Sequence, residues 1–385
     1  MGSETVITAL IASFLILFWR ITRRKTANRL DYKKGTAQSR KKSYHTVSPI
    51  VSKPTGKNEP TVPQVEVAAE SKSVPDELSS FNLLMVEDLE ESTKEVIFKM
   101  TEEISQPHPM LHKLTSGITD PEELVEIVKS DPEITAKILR TVNSAAFCLS
   151  RPINSINHAI TYLGIAQVKD TATQFALRNS IETKTPEQEE AFSKIWAASY
   201  VASNIGLSLA QNLSNDKAAE ISTLALLSYI GDLAILSARP DLAQIYLTQQ
   251  SLFERVTNQQ LQLQANSAIV GSMLASHWEL PLKVEHGLKL SLLPMSSAPE
   301  HYPYKELDMG AILLSYIACR IGDLVAFCGI EDVTEIDFSN RSELESFYLP
   351  EHIQRASLGR LDVIMKDTAF IKKMNQFISE VGGLN

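Results

Sequence analysis

The chain has 385 residues, of which 44% are hydrophobic and 22% are charged, a composition typical of a globular protein with room for one large or two smaller domains. The net charge of −9 is unevenly spread, because the first 60 residues carry a net charge of +9 and the rest of the chain therefore carries −18. An acidic body argues against a general nucleic-acid-binding role, since neutralised phosphates supply most of the non-specific affinity of such proteins.

The amino terminus contains an apolar stretch, VITALIASFLILFW at residues 6–19, which is followed by Arg20 and the basic run at 23–25. A full membrane span needs about 20 apolar residues, so this short one would use Trp19 and Arg20 at the membrane interface. The basic residues follow the apolar run, which is the reverse of a secretory signal, and the positive-inside rule places the later residues in the cytoplasm. We therefore predict a single-pass transmembrane anchor over residues 1–21; a soluble protein with an apolar amino-terminal helix is the alternative.

Residues 22–80 are rich in Lys, Ser, Thr, Pro and Val and show no sustained hydrophobic periodicity. Too little apolar surface is available there to offset the entropy cost of ordering the chain, so we predict a basic, disordered linker. Its basic half is expected to lie near anionic lipid headgroups. A nucleic-acid-binding arm is the alternative interpretation of this segment.

Residues 81–385 are predicted to form an all-α domain, because apolar residues recur three and four positions apart and alternating strand patterns are scarce. Asp120-Pro121 and Asp131-Pro132 each place a capping residue and a first-turn proline ahead of an apolar helix face. Ser155 precedes a further helix, which Gly164 closes.

Longer helices are predicted at about 187–212, 217–237, 258–278, 281–293 and 304–328. The apolar stretch 221–237 is assigned to a soluble core rather than to a second membrane span, because Asp232 lies within it.

Two motifs indicate a family: SDPEITAKILRTVNSAAF at 130–147 and INSINHAITYLG at 153–164. In this order they resemble the HDOD domain, the HD-related output domain of bacterial signalling proteins, and the similarity spans about residues 100–330. The resemblance implies an all-α, multi-helix HDOD or HD-like bundle with a role in bacterial signal transduction. It would place the anchor in the bacterial inner membrane and the domain in the cytoplasm.

LLSYIG at 226–231 has the outline of the metal-binding turn of the HD superfamily, whose helix carries Leu-Leu-His-Asp-Ile-Gly. In this chain Ser228 and Tyr229 stand where the His-Asp pair would be, and their hydroxyls are poor ligands for a divalent metal at neutral pH. The resemblance expects metal ligands at further positions, where the chain has apolar or weakly polar residues: Ala198 in IWAASYVASNIG, Ser267 in NSAIVGSMLASHWELP, Ser291-Leu292 between Pro281 and Pro294, and Cys319 after Ala318. We call these seven residues the degenerate groove, and we expect it to hold neither a metal nor another cofactor.

The resemblance and the substitutions together predict a membrane-anchored, non-catalytic HDOD protein that binds other signalling proteins through its helical surface or the degenerate groove. No nucleic-acid partner is expected, and the sequence leaves the oligomeric state open. One alternative is a divergent metal-dependent phosphohydrolase with ligands among Asp232, His277, Glu285 and His286. Another is a sensor that binds a nucleotide or an apolar ligand in the groove without turning it over.

Overall fold

A computed structural model of the chain describes residues 73–104, 107–143, 149, 151–178, 181–301, 308–338 and 341–382. The anchor predicted at residues 6–19 and the linker up to residue 72 lie outside the described residues, so both stay predictions. Residues 73–80 of the predicted linker are described, and Leu78, in a short helix, is only 2% exposed within the core. The packed domain therefore begins before residue 81.

The described residues form helices and connecting turns without a strand, which confirms the all-α prediction. The α-helices are, in chain order, α1 (Asp76–Ser79), α2 (Glu91–Glu102), α3 (Pro109–Thr115), α4 (Pro121–Lys129), α5 (Pro132–Val142), α6 (Ile156–Leu163), α7 (Ile165–Arg178), α8 (Pro186–Asn212), α9 (Ala218–Leu227), α10 (Ile230–Ala238), α11 (Gln244–Leu247), α12 (Leu252–Leu263), α13 (Ser267–His277), α14 (Leu282–Lys289), α15 (Leu293–Ser296), α16 (Met309–Cys328), α17 (Leu349–Arg355), α18 (Leu361–Met365) and α19 (Thr368–Gly382).

Helix α8 is the centre of the bundle and packs along both α16 and α9. It is buried on most sides from Ile195 to Ala210, as expected of a core helix rather than a surface helix with one apolar stripe. Helix α10 packs against α13, and α13 in turn packs against α14. The helices that carry most of the degenerate groove are therefore neighbours.

Local capping signals set the starts of the helices in the amino-terminal half, as predicted. The Asp120 side chain accepts from the backbone N–H of Glu122 at 3.1 Å, and the Asp131 side chain accepts from Ile134 N–H at 2.9 Å. Ser155 accepts from His158 N–H at 3.2 Å at the start of α6. Gly164 follows that helix with φ 87°, a backbone conformation that glycine adopts without strain.

Two of the predicted long helices are each divided in two. The stretch 217–237 turns at Ser228 and Tyr229, where the Ser228 hydroxyl donates to the carbonyl oxygen of Leu224 at 2.8 Å and competes with the backbone ladder. The stretch 258–278 breaks where Gln264 adopts a left-handed conformation and Asn266 caps α13 by accepting from Ile269 N–H at 3.1 Å. Both interruptions place polar side chains at the turns of an otherwise continuous apolar pattern.

By length and composition, two described stretches are apolar enough to cross a membrane: Ala218–Ala238 and Met309–Cys328. The share buried against the rest of the domain is 78% for the first and 72% for the second. Such burial is typical of core helices in a folded domain, which is how we interpreted 221–237 from its sequence.

Candidate functional site

The LLSYIG turn lies at the junction of α9 and α10, and its tyrosine points into the core. Tyr229 is only 3% exposed, and its hydroxyl lies 2.8 Å from the carbonyl oxygen of Cys319 and 3.1 Å from Oδ1 of Asp323. Burial, and then the nearby charge of Asp323, raise the pKa of the Tyr229 phenol well above its ordinary value. The phenol is therefore neutral and acts as a hydrogen-bond donor to α16.

Four of the seven groove residues come together around this turn. The Tyr229 hydroxyl donates to the backbone carbonyl oxygen of Cys319 at 2.8 Å, and the Cys319 Sγ lies 3.5 Å from the carbonyl oxygen of Ala225, in helix α9, which ends just before Ser228. Ala198 reaches the same place from α8, because a Cβ on Gly322 would lie 2.4 Å from the Ala198 carbonyl oxygen and 3.1 Å from the Tyr229 hydroxyl. Only glycine permits this close approach of α16 to α8.

The other three groove residues are placed differently. Ser267 begins α13, and its backbone N–H donates to the side-chain oxygen of Gln259 at 2.9 Å. A Cβ on Gly231 would lie 1.9 Å from the carbonyl oxygen of Ser267, so the glycine of LLSYIG allows α10 to pack tightly on α13. Ser291 and Leu292 follow α14, and Leu292 is buried in the core. Within the described part of the chain no hydrogen bond links this pair to the turn.

Beside the turn, the structure shows a buried ion-pair network that sequence reasoning missed. The Arg255 guanidinium on α12 contacts both carboxylate oxygens of Asp323 at 3.0 and 2.9 Å, and its Nε lies 3.9 Å from Oδ1 of Asp232. Asp232 also accepts from the Gln259 amide at 2.8 Å and lies 3.2 Å from the Tyr246 hydroxyl. The side chains of Arg255, Asp232 and Asp323 are 4%, 6% and 5% exposed. We call these five residues the arginine network.

Burial disfavours every charge in the network, and the charges compensate one another. Burial raises the pKa of Asp232, while Arg255 and Gln259 lower it. Burial alone would lower the pKa of Arg255, but Asp323 and Asp232 raise it above its ordinary value, so the guanidinium stays charged.

A second arginine extends this network towards the carboxy-terminal helices. Arg320 Nη1 lies 3.3 Å from Asp323 Oδ2, and its Nη2 donates to Glu345 at 2.8 Å. Tyr316 donates its hydroxyl proton to the Glu345 backbone carbonyl oxygen at 2.6 Å. Asp323 therefore lies between two arginines, and the ion pairs tie α12 and α16 to the chain near residue 345.

The resemblance of LLSYIG to the HD turn implies a divalent metal there, and the side chains present do not fit one. Ala198 offers no ligand atom in its side chain, and burial raises the pKa values of Tyr229 and Cys319, so neither supplies an anion at neutral pH. The two carboxylates nearby already pair with Arg255, whose permanent charge would repel a second cation.

The alternative metal ligands are not assembled either. Asp232 belongs to the arginine network, His277 lies at the end of α13 with its ring 6.2 Å from that of Phe98, and Glu285 and His286 lie on α14. Among the described residues, no group of three or more His, Cys, Asp or Glu side chains could hold a metal ion.

Comparison with known proteins places this fold in a family. The HDOD domain profile matches residues 96–289, which is half of the 385-residue chain. An HDOD domain protein of unknown function from Geobacter sulfurreducens superposes with a TM-score of 0.56 at 18% identity, covering 75% of this chain and 99% of that one. A phosphohydrolase candidate from Shewanella amazonensis SB2B gives a TM-score of 0.50 at 18% identity, covering 74% and 97%.

At these identities the two solved structures establish a common fold alone. No curated protein matches the sequence. The family profile covers both motifs that carry the sequence resemblance and continues through α14. On that match, the chain belongs to the HDOD domain family.

Proposed function

We propose that this protein is a non-catalytic, membrane-anchored signalling protein whose HDOD domain works by binding other proteins. The observation that supports the proposal most strongly is the arginine network beside the LLSYIG turn. It puts a fixed positive charge beside the turn: Arg255 lies between Asp232 and Asp323, and the Tyr229 hydroxyl of the turn lies 3.1 Å from Asp323.

The energetics of this arrangement oppose metal-assisted hydrolysis at the turn. At 4 Å and an effective dielectric constant of about 20, each unit charge on a cation would meet on the order of 4 kcal/mol of repulsion from the guanidinium. Metal-generated hydroxide needs a cation with open coordination positions, which a guanidinium cannot supply. Hydrolysis by another route would need a base beside a nucleophile, and Ser228 already donates to the Leu224 carbonyl oxygen.

A membrane anchor would restrict such a binding domain to partners at the membrane. The apolar stretch at residues 6–19, followed by basic residues, supports a single span in the bacterial inner membrane with the domain in the cytoplasm. Holding the domain near a membrane-bound partner raises the effective concentration of each for the other. The anchor thus contributes to binding without making a contact itself.

The full-length protein, purified without added metal, is expected to contain less than stoichiometric Fe, Mn and Zn by elemental analysis. It is also expected to hydrolyse neither phosphomonoesters nor phosphodiesters when Mn²⁺ or Mg²⁺ is supplied, because the turn offers no ligand set. Stoichiometric metal together with hydrolysis that a chelator abolishes would overturn the non-catalytic proposal and favour the divergent phosphohydrolase.

Affinity capture from membranes tests the binding role. Full-length protein is expected to retain a signalling protein that a variant lacking residues 1–72 loses, and the cut stops there because Leu78 belongs to the core. The matched control replaces residues 6–19 with an unrelated single span and should retain the same partner. Equal capture by the shortened variant would show that location plays no part, and an absence of any specific partner would count against a binding role.

A further inference from the structure

A cavity of about 470 Å³, within the size range of small-molecule sites, shares no described lining residue with the arginine network. Helices α7, α9, α14 and α16 contribute to its wall, together with the turn after α3. Apolar atoms make most of the exposed surface of the described wall, and six of its sixteen residues have apolar side chains: Leu224, Pro281, Val284, Leu290, Ala311 and Ile312. The body of a ligand held there would therefore be apolar.

The acidic groups at the cavity rim are already paired. Glu220 forms an ion pair with Lys283, and both side chains are at least half exposed. Asp308 pairs with Lys217 at 2.8 Å. In these two ion pairs the acidic charges at the rim are neutralised. The charge that selects a ligand is therefore one that lies deeper in the wall.

That deeper charge is Lys169 on α7. The residue is only 5% exposed, and in the described part of the chain no hydrogen-bond acceptor or ion-pair partner contacts its ammonium group. Burial lowers the pKa of Lys169, whereas the negative charges of Asp170 and Glu220, which do not contact its ammonium group, raise that pKa. A lysine in this setting gains stability from any anion that reaches it.

The neighbouring acid does not serve as that anion. The Asp170 carboxylate lies among hydroxyl groups: it accepts from Ser222, whose hydroxyl also lies 3.1 Å from that of Ser203, and it lies 3.3 Å from the Thr223 hydroxyl. Burial raises the pKa of Asp170 to about 7, so near neutral pH it carries only part of a negative charge.

The side-chain hydroxyl groups in the cavity wall already donate hydrogen bonds to backbone carbonyl oxygens. Thr115 donates to the Leu111 carbonyl oxygen at 2.9 Å, Ser116 to that of Lys113 at 2.6 Å, and Thr223 to that of Ala219 at 2.8 Å. Apart from Lys283 and His286 at the rim, Lys169 is thus the charged side-chain donor available to a ligand among the described lining residues. A phosphate group, which calls for several convergent donors, fits this wall less well than a carboxylate.

We propose that this cavity binds a small amphipathic monocarboxylate, with its carboxylate against Lys169 and its apolar body between α9, α14 and α16. The site is separate from the degenerate groove and does not rest on the proposed binding role of the domain. It would give the protein a ligand to sense whether or not the domain acts as a scaffold.

Isothermal titration of full-length protein with hexanoate tests the site, using 1-hexanol and hexylamine as uncharged and cationic analogues under the same conditions. Saturable binding of hexanoate is expected, with weaker binding of 1-hexanol and weakest binding of hexylamine. Lys169→Met removes the charge and keeps the length, so it should weaken hexanoate by about tenfold or more and leave 1-hexanol nearly unchanged. Lys283→Met, at the exposed rim, should weaken hexanoate by less than about threefold.

A second variant separates the contribution of the apolar cavity to binding from that of the Lys169 charge. Val284→Phe narrows the cavity and should weaken hexanoate and 1-hexanol alike. If Lys169→Met bound hexanoate as tightly as the unaltered protein, if Val284→Phe affected neither ligand, or if inorganic phosphate bound more tightly than hexanoate, the proposal would be overturned.

Discussion

Replacing Arg255 with methionine is expected to lower the free energy of unfolding by about 3–5 kcal/mol, because two buried carboxylates would lose the cation that lies between them. Methionine fills the space of the aliphatic stem but stops short of the guanidinium carbon, which lies 4.6 Å from the centroid of the Phe327 ring. The loss would therefore include both charge and packing, and the part due to charge is the part that neutralising the two carboxylates should recover. Urea unfolding followed by circular dichroism measures it.

The effect should depend on pH in a defined direction. Burial raises the pKa of Asp232 and Arg255 opposes that rise, so the variant's Asp232 pKa should be higher still. The folded variant then binds a proton that its unfolded form releases, and its stability falls as pH increases. The deficit relative to the unaltered protein is expected to be larger at pH 8 than at pH 5.

Arg239→Met is the matched control, since it removes an arginine from an exposed ion pair. Arg239 lies 2.6 Å from Asp241, with the two side chains 36% and 59% exposed, and such pairs contribute less than about 1 kcal/mol. Adding Asp232→Asn and Asp323→Asn to Arg255→Met should restore part of the lost stability. Equal free energies of unfolding for the two arginine variants would show that the buried arginine network contributes no more to stability than an exposed ion pair.

The fold could be predicted because its signals are local. Asp120 and Asp131 each precede a proline at the first helical position, and Ser155 and Gly164 bracket α6, so a few adjacent residues set each boundary. The breaks near Ser228 and Gln264 were missed because the apolar periodicity continues across them. A polar residue in a helical pattern indicates a turn only when its hydrogen bonds are known.

The side chains around the LLSYIG turn could be predicted only in part. The sequence indicated that the LLSYIG turn lacks metal ligands, but not that Arg255 lies beside it. Arg255 and Asp323 are 68 residues apart, and an arginine on an amphipathic helix such as α12 is more often exposed to solvent. Arg320 and Asp323 gave a weak signal, because two opposite charges three residues apart stand inside the apolar helix α16. Asp232 gave a second weak signal, because it is a charged residue inside the apolar stretch 221–237.

Asp170→Asn is expected to remove a steep dependence of stability on pH. Asp170 is 1% exposed, and burial raises its pKa from 3.8 to about 7 despite hydroxyl donors and the nearby charge of Lys169. Because the folded state holds this proton more tightly than the unfolded state does, the stabilisation is complete below pH 3.8 and is lost as pH rises through about 7. At up to about 1.4 kcal/mol for each pH unit, the loss across this window is roughly 4 kcal/mol.

Asparagine has the shape of a protonated aspartate and no charge to desolvate, so the variant should gain stability relative to the unaltered protein between pH 5 and pH 8. Urea unfolding of both proteins at those two pH values measures the change. Asp241→Asn provides a control of opposite sign: its hydrogen bond with Arg239 lowers the pKa of Asp241 below 3.8, so that pair is lost only in more acidic solution. Its effect should therefore stay constant from pH 5 to pH 8. If Asp170→Asn also shifted stability equally at both pH values, Asp170 would be ionised throughout. It would then present a full negative charge to Lys169, which a ligand carboxylate would no longer need to supply.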